Sequence, residues 1–206
     1  MIRLSRTLAT LLATSLLAAA PALAEAPVQQ IQAALARPAQ MCGRFDQTKQ
    51  LTGIRKPLQS NGRFCVIAGR GILWQALQPF PSTLRITRDA IQQMQDGRVA
   101  MKLDAQQEPV VKMINSVLFS LLAGDLSQLD VLFALDGQIS NGHWKVALKA
   151  RQPALARAIG DITLEGGAYV ERVLMQEASG DRTDIVFSAI KTGAGAMTAA
   201  EGALFD

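Results

Sequence analysis

Between Gly62 and Thr87 (GRFCVIAGRGILWQALQPFPSTLRIT) apolar and polar positions alternate with a period of two. Phe64, Val66, Ala68, Ile72 and Trp74 fall on one side, and Leu84 and Ile86 resume the alternation further on. That period predicts half-buried antiparallel strands, not a helix. Gly69 and Gly71 flank Arg70 and offer a first turn, and Pro79, Pro81 and Ser82 mark a second. Arg70 shares the parity of the apolar side, though a residue at a turn can leave the strand register.

The flanking pattern extends this β-structure. Val28, Ile31 and Leu35 recur at helical spacing, so 27–37 reads as a short amphipathic helix ended by Pro38. A strand follows at 42–50 around Phe45, then a turn-rich connection from Thr52 to Asn61. Ala90–Gln95 and Arg98–Asp104 make a hairpin about Asp96-Gly97. Pro109 opens a different segment, a helix to Leu122 closed by Gly124, with Lys112, Asn115, Ser116 and Ser120 as its polar stripe. Val111, Met113, Ile114, Val117 and Leu118 fill much of the rest, and Asp125–Leu129 reads as a further short helical piece.

Strands resume at 131–136, 143–150, 161–165, 169–176 and 183–190, with Gly137, Asn141-Gly142, Gly166-Gly167 and Gly180-Asp181 as joints and a helical turn at Pro153–Ala158. About eleven short strands with hairpin-length connections describe a mainly β chain, an antiparallel barrel or sandwich. The Gly- and Ala-rich tail, 191–206, reads as flexible. Thr198 and Glu201 could cap one last helical turn there, carrying Leu204 and Phe205.

Residues 1–24 stand apart. Arg3 and Arg6 precede the apolar run Leu8–Ala20, and Ala22-Leu23-Ala24 supplies a small-x-small site, so a secretory signal cut near Ala24-Glu25 is expected. Of 206 residues, 182 then remain, and the net charge of +4 loses two arginines. The remaining cations are scattered, which argues against a nucleic-acid surface. Cys42 and Cys65 are the only cysteines, in an oxidising compartment. If Phe45 and Phe64 share one face of a hairpin, both cysteines share the other. A disulfide is then allowed, and two small apolar residues are the alternative.

Candidate chemistry is sparse. The single His143 precedes Trp144 at a strand start, where a surface histidine is common. No GxSxG, HExxH, CxxC or phosphate-loop motif is present, so neither a nucleophilic enzyme nor a metal or other cofactor site is expected. What stands out is a curved sheet whose apolar inner face needs a cover, with helices 27–37 and 109–122 available to supply it. Fixed, they make an ordinary core; movable, they make a lidded hydrophobic pocket.

Phe45-x-Gln47, Gly62 and, above all, Ile72-x-Trp74-x4-Pro79-x2-Ser82-x-Leu84 resemble the periplasmic outer-membrane lipoprotein carriers, the LolA and LolA-like family. The hydrophobic helical insert and the export signal agree with that resemblance. It implies an incomplete antiparallel β-barrel with a helical lid over its concave face, built as one domain over 25–190. It also implies a non-enzymatic periplasmic carrier, monomeric, that shields lipoprotein acyl chains between an inner-membrane ABC-type donor and an outer-membrane acceptor. A carrier of another lipid, or a sensor that docks a partner on the same fold, is the alternative. The family's lid-holding arginine just before F-x-W is Ala68 here, and Arg70 is the nearest substitute latch. The usual SDG-x-x-L-W is replaced by Arg88-Asp89-Ala90, which marks a divergent branch. On this reading Phe45, Phe64, Val66, Ile72, Trp74, Leu84 and Ile86 line the pocket, and Val111, Ile114 and Leu118 come from the lid.

Overall fold

A computed structural model describes residues 27–95, 98–122, 126 and 129–205. The expected leader and the Asp96-Gly97 turn lie outside the described residues, as do Gly124 and most of 125–129. Eleven strands form one antiparallel sheet: β1 (Gln40–Gln50), β2 (Leu58–Ile67), β3 (Gly71–Gln78), β4 (Ser82–Ile86), β5 (Ala90–Gln95), β6 (Arg98–Asp104), β7 (Phe133–Ser140), β8 (His143–Ala150), β9 (Asp161–Gly166), β10 (Val170–Gln176) and β11 (Arg182–Thr192). Their order is β6-β5-β4-β3-β2-β1-β11-β10-β9-β8-β7, an open meander whose two halves join where β1 pairs with β11. Three helices face the concave side: α1 (Pro27–Ala34), α2 (Pro109–Leu122) and α3 (Pro153–Ala158).

The sheet is strongly curved. β4 and β9 are six strand spacings apart, about 29 Å on a flat sheet, yet Ile86 and Ile162 border the same cavity. Glycine opposite an aromatic ring lets the central strands close up. In the β1–β2 register Gly43 faces Phe64 and Gly62 faces Phe45. A Cβ on Gly62 would stand 1.9 Å from the Gln75 carbonyl oxygen and 2.8 Å from the Phe45 ring. Both rings therefore lie flat over backbone, and both are buried.

Several boundaries differ from the sequence expectation for identifiable reasons. β7 runs through Gly137, which read as a joint. Its missing side chain is where α1 lands, since a Cβ there would meet Val28 Cγ2 at 2.9 Å and Ile31 Cδ1 at 3.2 Å. β2 begins at Leu58, inside the segment read as a connection, because Leu58 to Ser60 continue the ladder with β1. On α2, Lys112 and Ser116 are exposed, but Asn115 and Ser120 are buried instead of completing a polar stripe.

The tail packs against the sheet. After a 3-10 turn (Ala194–Ala196), Thr198 and Glu201 form a capping box that opens α4 (Ala199–Ala203). This segment lies on the convex face over Cys42, Cys65 and Leu73, with Met197, Leu204 and Phe205 packed against them. Cys42 opposes Cys65 directly in the β1–β2 ladder, and the two are joined in a disulfide with Cα atoms 4.0 Å apart. Three arginines hold the segment by its backbone. Arg63 Nη2 donates to the Ala196 carbonyl at 2.7 Å, Arg85 Nη1 to Leu204 at 3.0 Å and Arg70 Nη2 to Phe205 at 3.3 Å. Arg63 also pairs with Glu201. Burial raises the Glu201 carboxyl, but the hydrogen bonds from Arg63 and Thr198 outweigh it and leave the group below its ordinary value. Composition hid part of this anchor, because three of its contacts are accepted by backbone carbonyls, which side-chain chemistry does not announce.

Candidate functional site

The concave face carries an aromatic floor. Phe45 and Trp74 stack with ring centroids 3.8 Å apart, Phe187 meets Phe64 edge-on at 4.9 Å, and Trp74 and Phe187 stand perpendicular at 6.1 Å. Alternation along β1, β2, β3 and β11 aims all four rings inward. Above them a cavity of about 290 Å³ remains, bounded by Trp74, Leu84 and Ile86 from β3 and β4. Ile162, Val173, Met175, Ile185 and Phe187 form the opposite wall, and Ala158 and Ile159 belong to the α3 end. Val117 and Leu118 of α2 close the top. The described lining residues are all apolar, so the cavity can solvate hydrocarbon.

The sequence-predicted residues divide into two groups. Trp74, Leu84, Ile86 and Leu118 reach the cavity. Phe45, Phe64, Val66 and Ile72 are fully packed beneath it, and Val111 is buried without reaching it. The Ile114 side chain lies outside the described residues. Missed altogether were Val117, Ile159 and the wall from β9, β10 and β11. Its signal, the alternation of Ile162 with Leu164, Val173 with Met175 and Ile185 with Phe187, is plain in the sequence. Which face those strands share with β3 and β4 depends on the β1–β11 pairing.

Arg70 is not at the lid. It sits in the β2–β3 turn, which leaves the strand register, and its guanidinium donates to the tail on the convex side. Among the described side chains of α2, Asn115 alone hydrogen-bonds the sheet. Its Nδ2 donates to the Thr87 carbonyl at 2.8 Å, in a β4–β5 turn ordered by Thr87 Oγ1 accepting from Ala90 N at 3.1 Å. The residue is 1 % exposed, and its Oδ1 has no partner among the described residues. Among the described side chains, α2 is thus tied to the sheet by one hydrogen bond, from an amide whose burial carries its own penalty.

The remaining polar features are structural. His143 lies on the rim of an outer cleft with Lys145, Glu165 and Arg172. Arg172 donates to Asp184 through both nitrogens, at 2.9 and 2.7 Å, and this pairing lowers the Asp184 carboxyl. Asp181 is lowered chiefly by the Thr52 backbone N–H it accepts. The one group of potential metal ligands among the described residues is Cys42, Cys65 and Glu201, and both sulfurs are consumed in the disulfide.

A curved, open antiparallel sheet with an apolar cavity under a helix has the form of a binding fold. The chain belongs to the family described as outer membrane lipoprotein carrier protein LolA-like, whose model matches residues 18–204. No curated protein sequence matches it. Among solved structures it is similar to a LolA superfamily protein from Nitrosomonas europaea, at 8% identity and a TM-score of 0.46, covering 82% of this chain and 94% of that one. It is also similar to MucB in the MucA/MucB complex of Pseudomonas aeruginosa, at 17% identity and a TM-score of 0.44, covering 84% of this chain and 60% of that one. LprF from Mycobacterium bovis is similar at 10% identity and a TM-score of 0.33, covering 84% and 99%.

Proposed function

We propose that this protein is a periplasmic carrier that shields the acyl chains of lipoproteins in its lidded cavity and moves them from the inner to the outer membrane. It acts as a monomer, loaded by an ABC-type donor and emptied by an outer-membrane acceptor. The observation that carries this reading is the wholly apolar cavity beneath α2. A sixteen-carbon chain exposed to water costs on the order of 12 kcal/mol at about 0.8 kcal/mol per methylene, so unassisted crossing is very slow. At about 290 Å³ the cavity lies at the low end of the roughly 300–1,000 Å³ of ligand sites. It holds a fraction of a chain when closed, and displacement of α2 supplies the rest.

The test is native mass spectrometry of protein taken from the periplasm without detergent, with lipids extracted from the same sample. A co-purifying lipoprotein or lipid, absent from folded Met175→Glu and Leu118→Glu variants, is the expected result. An empty protein that also refuses triacylated peptide and fatty acid refutes the carrier reading and leaves partner binding on the same fold.

A further inference from the structure

We propose that the end of the sheet formed by the β1–β2 loop and the β3–β4 turn docks on an anionic lipid bilayer. Four large apolar side chains are turned out to solvent there: Ile54 (48 % exposed), Leu58 (55 %), Leu77 (56 %) and Phe80 (81 %). Strand pairing brings them to one end. Asn61 pairs with Gln78 in the β2–β3 ladder, and its Nδ2 donates to Gln78 Oε1 at 3.1 Å. Leu58 lies three residues beyond Asn61, roughly 10 Å along the strand, while Leu77 and Phe80 flank Gln78 and Pro79. Scattered exposed leucines are ordinary, but an aromatic at a loop tip beside three aliphatic neighbours is a patch.

Charge selects the occupant. Arg55 and Lys56 stand exposed between Ile54 and Leu58 and make no ion pair among the described residues. Neither 51–62 nor 75–87 contains an acid. Of the acids that approach from β10–β11, Glu177 pairs with Lys49 at 3.1 Å, and Asp181 is turned to the Thr52 N–H, from which it accepts at 2.8 Å. Asp46 lies level with Asn61 and Gln78 and borders a polar cleft with Pro79, so the cations that favour an anionic surface are those of the β1–β2 loop. Apolar side chains interleaved with unpaired cations suit a surface with an apolar interior and anionic headgroups.

The tip is also built in advance. Gln50 Nε2 donates to the Ile54 carbonyl at 2.5 Å, Ile54 N to Leu51 O at 3.1 Å, and Thr52 Oγ1 to Ser179 O at 3.1 Å. Pro79 and Pro81 remove two N–H donors beside Phe80, so fewer backbone groups must shed water when the tip enters the interface. The surface lies outside the cavity, and its role does not depend on what the cavity holds.

The test uses residues 25–206, since the apolar run of 1–24 would itself bind lipid, in flotation with phosphatidylcholine vesicles with and without phosphatidylglycerol. Binding to the phosphatidylglycerol vesicles is expected. The double variant Leu77→Ser, Phe80→Ser lowers it at least about tenfold. Each of Arg55→Gln and Lys56→Gln lowers it about fivefold and flattens its salt dependence. Ile139→Ser, at the opposite end of the sheet, leaves it unchanged. Uptake of a fluorescent fatty acid from solution, measured on the same proteins, stays at the wild-type level, so a failed cavity and a failed docking surface give different results. No vesicle binding, or binding indifferent to the tip variants, overturns the proposal. So does a dimer that dissolves in the double variant, which would assign the patch to a second copy.

Discussion

Asn115 sets how tightly the lid is held, and the energetics can be worked through. When α2 is closed, its amide donates one hydrogen bond to the Thr87 carbonyl, a net gain of about 1 kcal/mol. The same closure buries Oδ1 without a partner, which costs about 1–3 kcal/mol. The side chain therefore contributes between nothing and about 2 kcal/mol against closure, and the apolar contacts of Val117 and Leu118 hold the lid. Asn115→Leu keeps the branching and heavy-atom count at a larger volume, removes the orphaned acceptor and adds apolar burial, while the half-buried Thr87 turn loses one partner. The closed state should gain about 1–2 kcal/mol, which lowers the open population roughly 5–30-fold. Asn115→Asp puts an unpaired carboxylate against a carbonyl oxygen and should open the lid by about 3 kcal/mol or more. Hydrogen exchange at the α2 amides reads the opening directly, and stopped-flow release of a fluorescent fatty acid reads its consequence. Leu should slow both and Asp should speed both, with exchange in β1 and β2 unchanged. If Leu leaves α2 exchange at the wild-type rate or accelerates it, the reasoning about the orphaned amide fails.

Phe45→Ala removes the ring stacked on Trp74 and should cost about 3–5 kcal/mol, lowering Tm by about 6–20 °C in calorimetry. Replacing Cys42 and Cys65 together by Ser opens a link spanning 23 residues and should cost about 3 kcal/mol, seen as a lower urea midpoint. Cleavage after Thr192 by an added protease should also become faster, because the tail rests on that disulfide. Because the folded Glu201 carboxyl lies below the ordinary 4.5, its stabilisation is present above that value and is lost as pH falls through the folded value. NMR signals of Leu204 and Phe205 should therefore become mobile in acid, and Glu201→Gln should show the same loosening at neutral pH.

The stretch from Gly62 to Thr87 was legible because both causes of its structure are local. Alternation fixed which side chains face inward, and Gly69, Gly71, Pro79 and Pro81 fixed where the chain reverses. The opposite wall of the cavity was not legible at that level. Ile162, Val173 and Ile185 are ordinary inward residues of ordinary strands, and they reach Trp74 only because β11 returns to pair with β1, a contact between distant parts of the chain. Gly137 misled for the converse reason: a glycine that yields space to a helix looks in sequence like one that makes a turn. Arg70 misled because parity stops carrying information inside a turn. Asn115 looked like a solvent-facing polar residue since helical spacing reports a face, not what lies against it.

The placement of the strong contacts separates what must stay rigid from what must move. On the convex side a disulfide joins β1 to β2, and Arg63, Arg70 and Arg85 draw the C-terminal segment across β2, the β2–β3 turn and β4. Around β8 to β11, Lys145–Glu165 at 3.0 Å and Arg172–Asp184 at 2.7 Å lace neighbouring strands on the same outer face. Such exposed pairs add little stability one by one, but together they oppose changes in curvature. The inner face carries the opposite arrangement: a helix seated on apolar contacts, with one amide whose hydrogen bond and orphaned oxygen nearly cancel. A ligand that displaces α2 therefore works against hydrophobic contacts that its own hydrocarbon replaces, and it leaves the braced sheet in its shape. On the proposed carrier reading, loading and release then differ little in free energy, which suits a protein that must give up its cargo.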